Sequence, residues 1–139
     1  MTSPNGSGQA ERLPIADDAD IVRVRQTVRA LALQAALSIV DQTKLVTAAS
    51  ELARNTLVHG RGGDAEVAVV HEGERTGVRA TFRDEGPGIA DIDLAMTDGY
   101  TSSNGMGLGL SGSKRLVDAF DIETSVGRGT RVTVTKWKR

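Results

Sequence analysis

The chain has 139 residues with one Trp, one Tyr, two Phe, 16 Gly and no Cys, a length that suits one ordinary domain and not two. The missing cysteines exclude disulfide frameworks, thiolate metal sites and thiol nucleophiles, and they fit a reducing, cytoplasmic compartment. A net charge of −1 excludes the broad basic field of a nucleic-acid binder, and no aliphatic run approaches the roughly 18 residues that span a bilayer, so neither nucleic acid nor membrane is an expected partner.

Residues 1–11 are rich in Thr, Ser, Pro, Asn and Gly, lack the basic and apolar regions of a signal peptide, and read as a disordered leader before a single domain over 12–139. Arg12 to Ala16 suits a short strand. Asp17 to Asp20 then offers a cap and an acidic first turn to a helix whose apolar residues Ile21, Val24, Val28, Leu31 and Ala35 recur at threes and fours. A second helix is expected after Asp41, with Leu45, Ala48, Ala49, Leu52, Ala53 and Thr56 on its apolar side, ending near His59 and Gly60. Glu66 to His71 and Val78 to Arg83 alternate with the period of strands, Val78, Ala80 and Phe82 facing inward, and the segment between them suits a hairpin. Asp84 to Gly107 has no sustained period beyond one helical turn at Asp91 to Met96, the mark of a functional loop. Leu108 to Phe120 reads as helix, and Ile122 to Val126 and Thr130 to Lys136 as strands joined by Gly127-Arg128-Gly129. This order predicts an α+β fold, a two-layer α/β sandwich with a mixed or antiparallel sheet and helices on one face. Residues 114–139 carry seven Lys or Arg against three acids, which predicts a solvated basic tail or a partner-docking patch.

Seven of the 16 glycines fall between residues 86 and 112. Gly107-Leu108-Gly109-Leu110-Ser111-Gly112 matches a dinucleotide fingerprint, but polar loop precedes it where that fingerprint requires a strand. Gly112-Ser113-Lys114-Arg115 lacks the Gly-Lys-Ser/Thr order of a phosphate-binding P-loop. What survives is a glycine loop running into a helix start, where free backbone N–H groups suit phosphate. Glu51 and Asn55 share one helix face at i,i+4 spacing; Glu51 can act as a general base, and the Asn55 carbonyl is a hard oxygen ligand suited to Mg²⁺. Asp84 leaves a strand into the turn Glu85-Gly86-Pro87-Gly88, and an acceptor-only carboxylate there favours the exocyclic amine of adenine. Taken singly, each feature has a plain structural reading: a helix surface, an Asp-initiated turn, a hairpin.

Taken together, the residues resemble the GHKL ATPase superfamily with its Bergerat nucleotide-binding fold: Glu51-x-x-x-Asn55 as the N box, Asp84-x-Gly86-x-Gly88 as the first glycine box, Gly105-x-Gly107-x-Gly109 as the second, and Gly127-x-Gly129-Thr130 as the last. Within it the chain looks like the small bacterial serine switch kinases of the RsbT type, through Glu51-Leu52-Ala53-Arg54-Asn55, Asp98-Gly99-Tyr100-Thr101-Ser102 and Lys136-Trp137. The resemblance implies ATP and Mg²⁺ as cofactors, Glu51 as the catalytic base and Asn55 as the metal ligand. Asp84 and Thr130 would lie at the adenine, with Gly88 letting the base approach, and a basic residue at His59 would approach phosphate. Gly86, Ile89, Thr101, Ser102, Gly105, Met106, Gly107, Leu108, Gly109 and Leu110 complete the nucleotide-binding set, Thr101 to Met106 as a closing lid. The implied partners are STAS-domain antagonist or scaffold proteins and a PPM-type phosphatase in a stress-response sigma-factor pathway. A nucleotide-gated module that holds a sigma factor with little turnover is the alternative.

Overall fold

The structure is a computed structural model that describes residues 10–97 and 109–139. Most of the leader and the segment 98–108, which holds Thr101, Ser102, Gly105, Met106, Gly107 and Leu108, lie outside the described residues.

After strand β1 (Glu11–Ile15), helix α1 (Asp18–Gln34) opens on a capping box, in which Asp17 accepts the Asp20 amide and Asp20 accepts the Asp17 amide. Helix α2 (Ile39–Val58) starts earlier than its apolar period suggests. Ser38 is its cap, accepting the Asp41 amide at 3.1 Å, and Asp41 sits in the first turn, where a negative charge meets the positive helix end. Strands β2 (Gly63–Glu72) and β3 (Arg75–Asp84) form a long hairpin. A single turn, α3 (Ile92–Ala95), follows, then α4 (Gly109–Arg115), β4 (Ala119–Ser125) and β5 (Gly129–Trp137). Helix α4 is shorter than the predicted Leu108–Phe120: Ala119 and Phe120 instead pair with Thr135 and Val134 of β5.

The five strands lie in the order β1-β2-β3-β5-β4, every neighbouring pair antiparallel, so the sheet is antiparallel rather than mixed. The last strand is therefore inserted between β3 and β4. Helices α1 and α2 pack on one sheet face, and strand alternation turns Ala65, Val67, Val78, Ala80, Phe82, Val132 and Val134 toward them. These meet Val24, Val28, Leu45, Ala49 and Leu52, all buried, and each large side chain contributes about 1.5–3 kcal/mol on leaving water. No helix among the described residues is long and apolar enough to cross a membrane.

The basic C-terminal segment is not simply a solvated tail. Lys136 is buried on the helix-facing side of β5, 3.6 Å from Asp41 at the start of α2 and 3.5 Å from Asp118 after α4. Asp118 also accepts the Trp137 amide at 2.7 Å and pairs with Arg139. Burial works against the Asp118 charge, but that amide and the Lys136 and Arg139 cations outweigh it and hold the carboxyl below its ordinary range. A carboxyl so depressed stabilises the fold above its unfolded pKa, and the contribution is lost as pH falls through the folded value. Asp118→Asn is therefore expected to lower stability at neutral pH by about 1–3 kcal/mol in urea unfolding. The gap to the wild type should close in acid, and a gap independent of pH would dismiss the ionic origin.

Candidate functional site

A cavity of about 420 Å³ opens between the C-terminal half of α2, the ends of β3 and β5, the turn after β3, and the start of α4. Leu52, Phe82, Ile89, Leu94, Leu110 and Val132 make it largely apolar, while Asn55, Thr56, His59, Asp84, Asp91 and Thr130 bring the polar groups. Such a volume with few polar groups suits a small organic ligand.

Strand alternation explains the polar end. Phe82 pairs with Val132 and Asp84 with Thr130, so the helix-facing row of β3 and β5 changes from apolar to polar where it leaves the core. Asp84 Oδ1 accepts the Gly86 amide at 2.9 Å. Burial pushes the Asp84 carboxyl up from its ordinary value, and the Gly86 and Thr130 amides and the nearby His59 pull it back only in part. Beside it, Thr124 of β4 links three segments: its Oγ1 accepts the Ile89 amide at 2.9 Å, donates to the Gly129 carbonyl at 3.0 Å and lies 2.9 Å from Thr130 Oγ1.

Backbone without side chains encloses Asp84. A Cβ on Gly60, just past α2, would fall 2.3 Å from the Asp84 Cγ, and one on Gly129 would fall 2.1 Å from the Asp84 carbonyl. Gly129 also has φ +94°, a conformation that favours glycine.

Of the residues singled out in the sequence, Asn55, His59, Asp84, Gly88, Ile89, Gly109, Leu110 and Thr130 all line this cavity. Four separated segments supply them. Gly86 stands behind the wall, donating its amide to Asp84. Glu51 is half-buried one turn before Asn55 on α2 and is not among the lining residues. Sequence reasoning missed Gly60, which reads as an ordinary helix stop, and Thr124, which carries no signal beyond its inward place in an alternating strand.

Residues 40–139 match the family described as histidine kinase-, DNA gyrase B-, and HSP90-like ATPase. The chain belongs to this family. It is 40% identical over 120 residues to the serine/threonine-protein kinase RsbT of Bacillus subtilis, covering 86% of this chain and 90% of that one. Anti-sigma F factor of Geobacillus thermodenitrificans is 33% identical over 119 residues, covering 81% of this chain and 80% of the other. Anti-sigma F factor of Bacillus thuringiensis is 30% identical over 120 residues, covering 81% of each. In fold the chain is like a crystal structure of the RsbU and RsbW domains of a Mycobacterium tuberculosis protein, with a TM-score of 0.64 and 23% identity over 94% of this chain. It spans about a third, 33%, of that longer chain.

As a member of this ATPase family, the chain can be probed with ATP. Because the Asp84 carboxyl is shifted up on folding, its charged form is disfavoured in the fold above both pKa values. Asp84→Asn should thus raise the thermal midpoint of the ligand-free protein at neutral pH while weakening ATP binding by about tenfold or more, an ionised acceptor being stronger than an amide. Calorimetry with unchanged ATP affinity would remove Asp84 from the site. Gly60→Ala should also weaken ATP binding, since the new methyl displaces the Asp84 side chain; wild-type affinity there would show that this contact sets nothing.

Proposed function

We propose that residues 12–139 form an ATP- and Mg²⁺-dependent serine/threonine-protein kinase domain of the partner-switching type. Its substrates are STAS-domain antagonist or scaffold proteins in the cytoplasm. In its free form it binds and activates a PPM-type phosphatase in a stress-response sigma-factor pathway. The observation that carries the reading is the convergence of Asn55, Asp84, Gly88, Gly109 and Thr130, from separate segments, on one cavity. The 40% identity to RsbT over most of both chains supports the kinase assignment.

The donor set fits the nucleotide. Asp84 and Thr130, paired across β3 and β5, offer oxygen acceptors that match an adenine amine, and the apolar walls from Leu52, Ile89 and Leu110 suit the base faces. No group of three or more His, Cys, Asp or Glu that could hold a metal occurs among the described residues. Mg²⁺ would be held by the Asn55 side-chain oxygen together with nucleotide phosphates and water, the pattern of a hard cation that takes few protein ligands. When bound, ATP would supply its γ-phosphoryl group to the acceptor oxygen, with ADP as the leaving group, and Mg²⁺ would offset the phosphate charge. Glu51 takes the proton from the acceptor hydroxyl, a contribution of about 10²- to 10⁴-fold in rate. Asn55 positions the phosphates, and His59 at the rim meets them with its imidazole.

A second reading has its own support. Relatives named anti-sigma F factor, at 33% and 30% identity, favour a nucleotide-gated module that sequesters a sigma factor with little turnover. Labelled ATP and a STAS-domain partner separate the two: the kinase moves phosphate to a Ser or Thr of the partner, whereas binding without transfer supports the module. Glu51→Ala is expected to reduce transfer by at least about 10²-fold while ATP affinity stays near wild type. Loss of both together would assign Glu51 a structural role.

A further inference from the structure

The hydrogen-bond arithmetic around Thr124 fixes a proton that no resemblance assigns. A threonine hydroxyl has one proton and two lone pairs. At Thr124 Oγ1 the Ile89 amide can only donate, which takes one lone pair, and the Gly129 carbonyl can only accept, which takes the proton. The contact with Thr130 Oγ1, at 2.9 Å, is left with one lone pair of Thr124, so the Thr130 hydroxyl must be the donor. Its single proton then points at Thr124, and Thr130 has only lone pairs for the cavity. The neighbouring Asp84 carboxylate, when ionised, also offers only acceptors.

We propose that Thr124 is a positioning residue for base specificity: by holding the proton of Thr130, it makes both Thr130 and the ionised Asp84 acceptors toward the cavity, so the site admits a purine carrying an exocyclic amine there and rejects one carrying a carbonyl. The inference rests on the nucleotide reading above. It concerns a residue outside the cavity wall, on β4, whose hydroxyl reaches the base only through Thr130. Removing the Thr124 hydroxyl frees the Thr130 proton to rotate and donate to a carbonyl.

The test is the ratio of ATP to inosine triphosphate affinity, measured by calorimetry on the full chain. Wild type should prefer ATP. Thr124→Val should narrow the preference by about tenfold, the scale of one hydrogen bond changing from mismatched to matched, while Thr124→Ser keeps the wild-type ratio. Loosening of the Ile89 segment would weaken both nucleotides alike and leave the ratio in place, which separates a structural effect from the proposed one. An unchanged ratio in Thr124→Val, or an equal narrowing in Thr124→Ser, overturns the inference. If Thr124→Val does not fold, Thr130→Val decides: loss of a pure acceptor narrows the preference, whereas loss of a hydroxyl that could donate to inosine leaves it the same or widens it. Failure of the wild type to bind either nucleotide would instead remove the nucleotide reading itself.

Discussion

The close approach of bare backbone to one carboxylate organises the molecule. Gly60 lies against the Asp84 side chain, Gly129 against its carbonyl, and Gly86 against Gly60, at distances where any Cβ would collide. These contacts tie the end of α2, the exit of β3 and the entry of β5 into one packed corner. They also explain why glycine, which costs about 0.5–1 kcal/mol in ordinary helix or strand interiors, is concentrated here. A side chain at any of these positions would push apart the elements that define the cavity.

That corner also holds a carboxylate whose burial opposes its charge. Asp84 is placed at the boundary where the apolar row of the sheet ends, so its charge loses water, and the Gly86 and Thr130 amides and the nearby His59 offset that loss only in part. Asp84 and Asp118 illustrate opposite solutions. Asp118 is drawn into a network with Lys136, Arg139 and the Trp137 amide and serves stability. Asp84 receives two amides, remains penalised by burial, and keeps acceptor capacity for something that arrives from outside.

Much of this was legible in the residues. The threes and fours of α1 and α2 mark their buried faces, and the inward alternation of Val78, Ala80 and Phe82 carries on to place Asp84 at the cavity. Locally ambiguous patterns were not. Leu116, Val117 and Phe120 fit a helical period, yet Phe120, Ile122 and Thr124 also fit a strand, and only pairing with Val134, Val132 and Thr130 decides between them. The insertion of β5 between β3 and β4 has no local signature. The same holds for Thr124, whose partner Ile89 lies 35 positions away, and for Gly60, whose role as a helix stop conceals its contact with Asp84.

The placement of β5 has a consequence for the order of events during synthesis. The two helices and the β2–β3 hairpin can form from residues made early, but Thr130 and Val132 occupy a strand made late that must enter beside β3. Long-range antiparallel pairing of this kind is a slow, late step in folding. Until it occurs, Asp84 faces no Thr130 and the cavity lacks a wall. A partially synthesised chain on the ribosome therefore has no assembled pocket with which to engage a ligand, and competence at the site arrives in one step with the last strand.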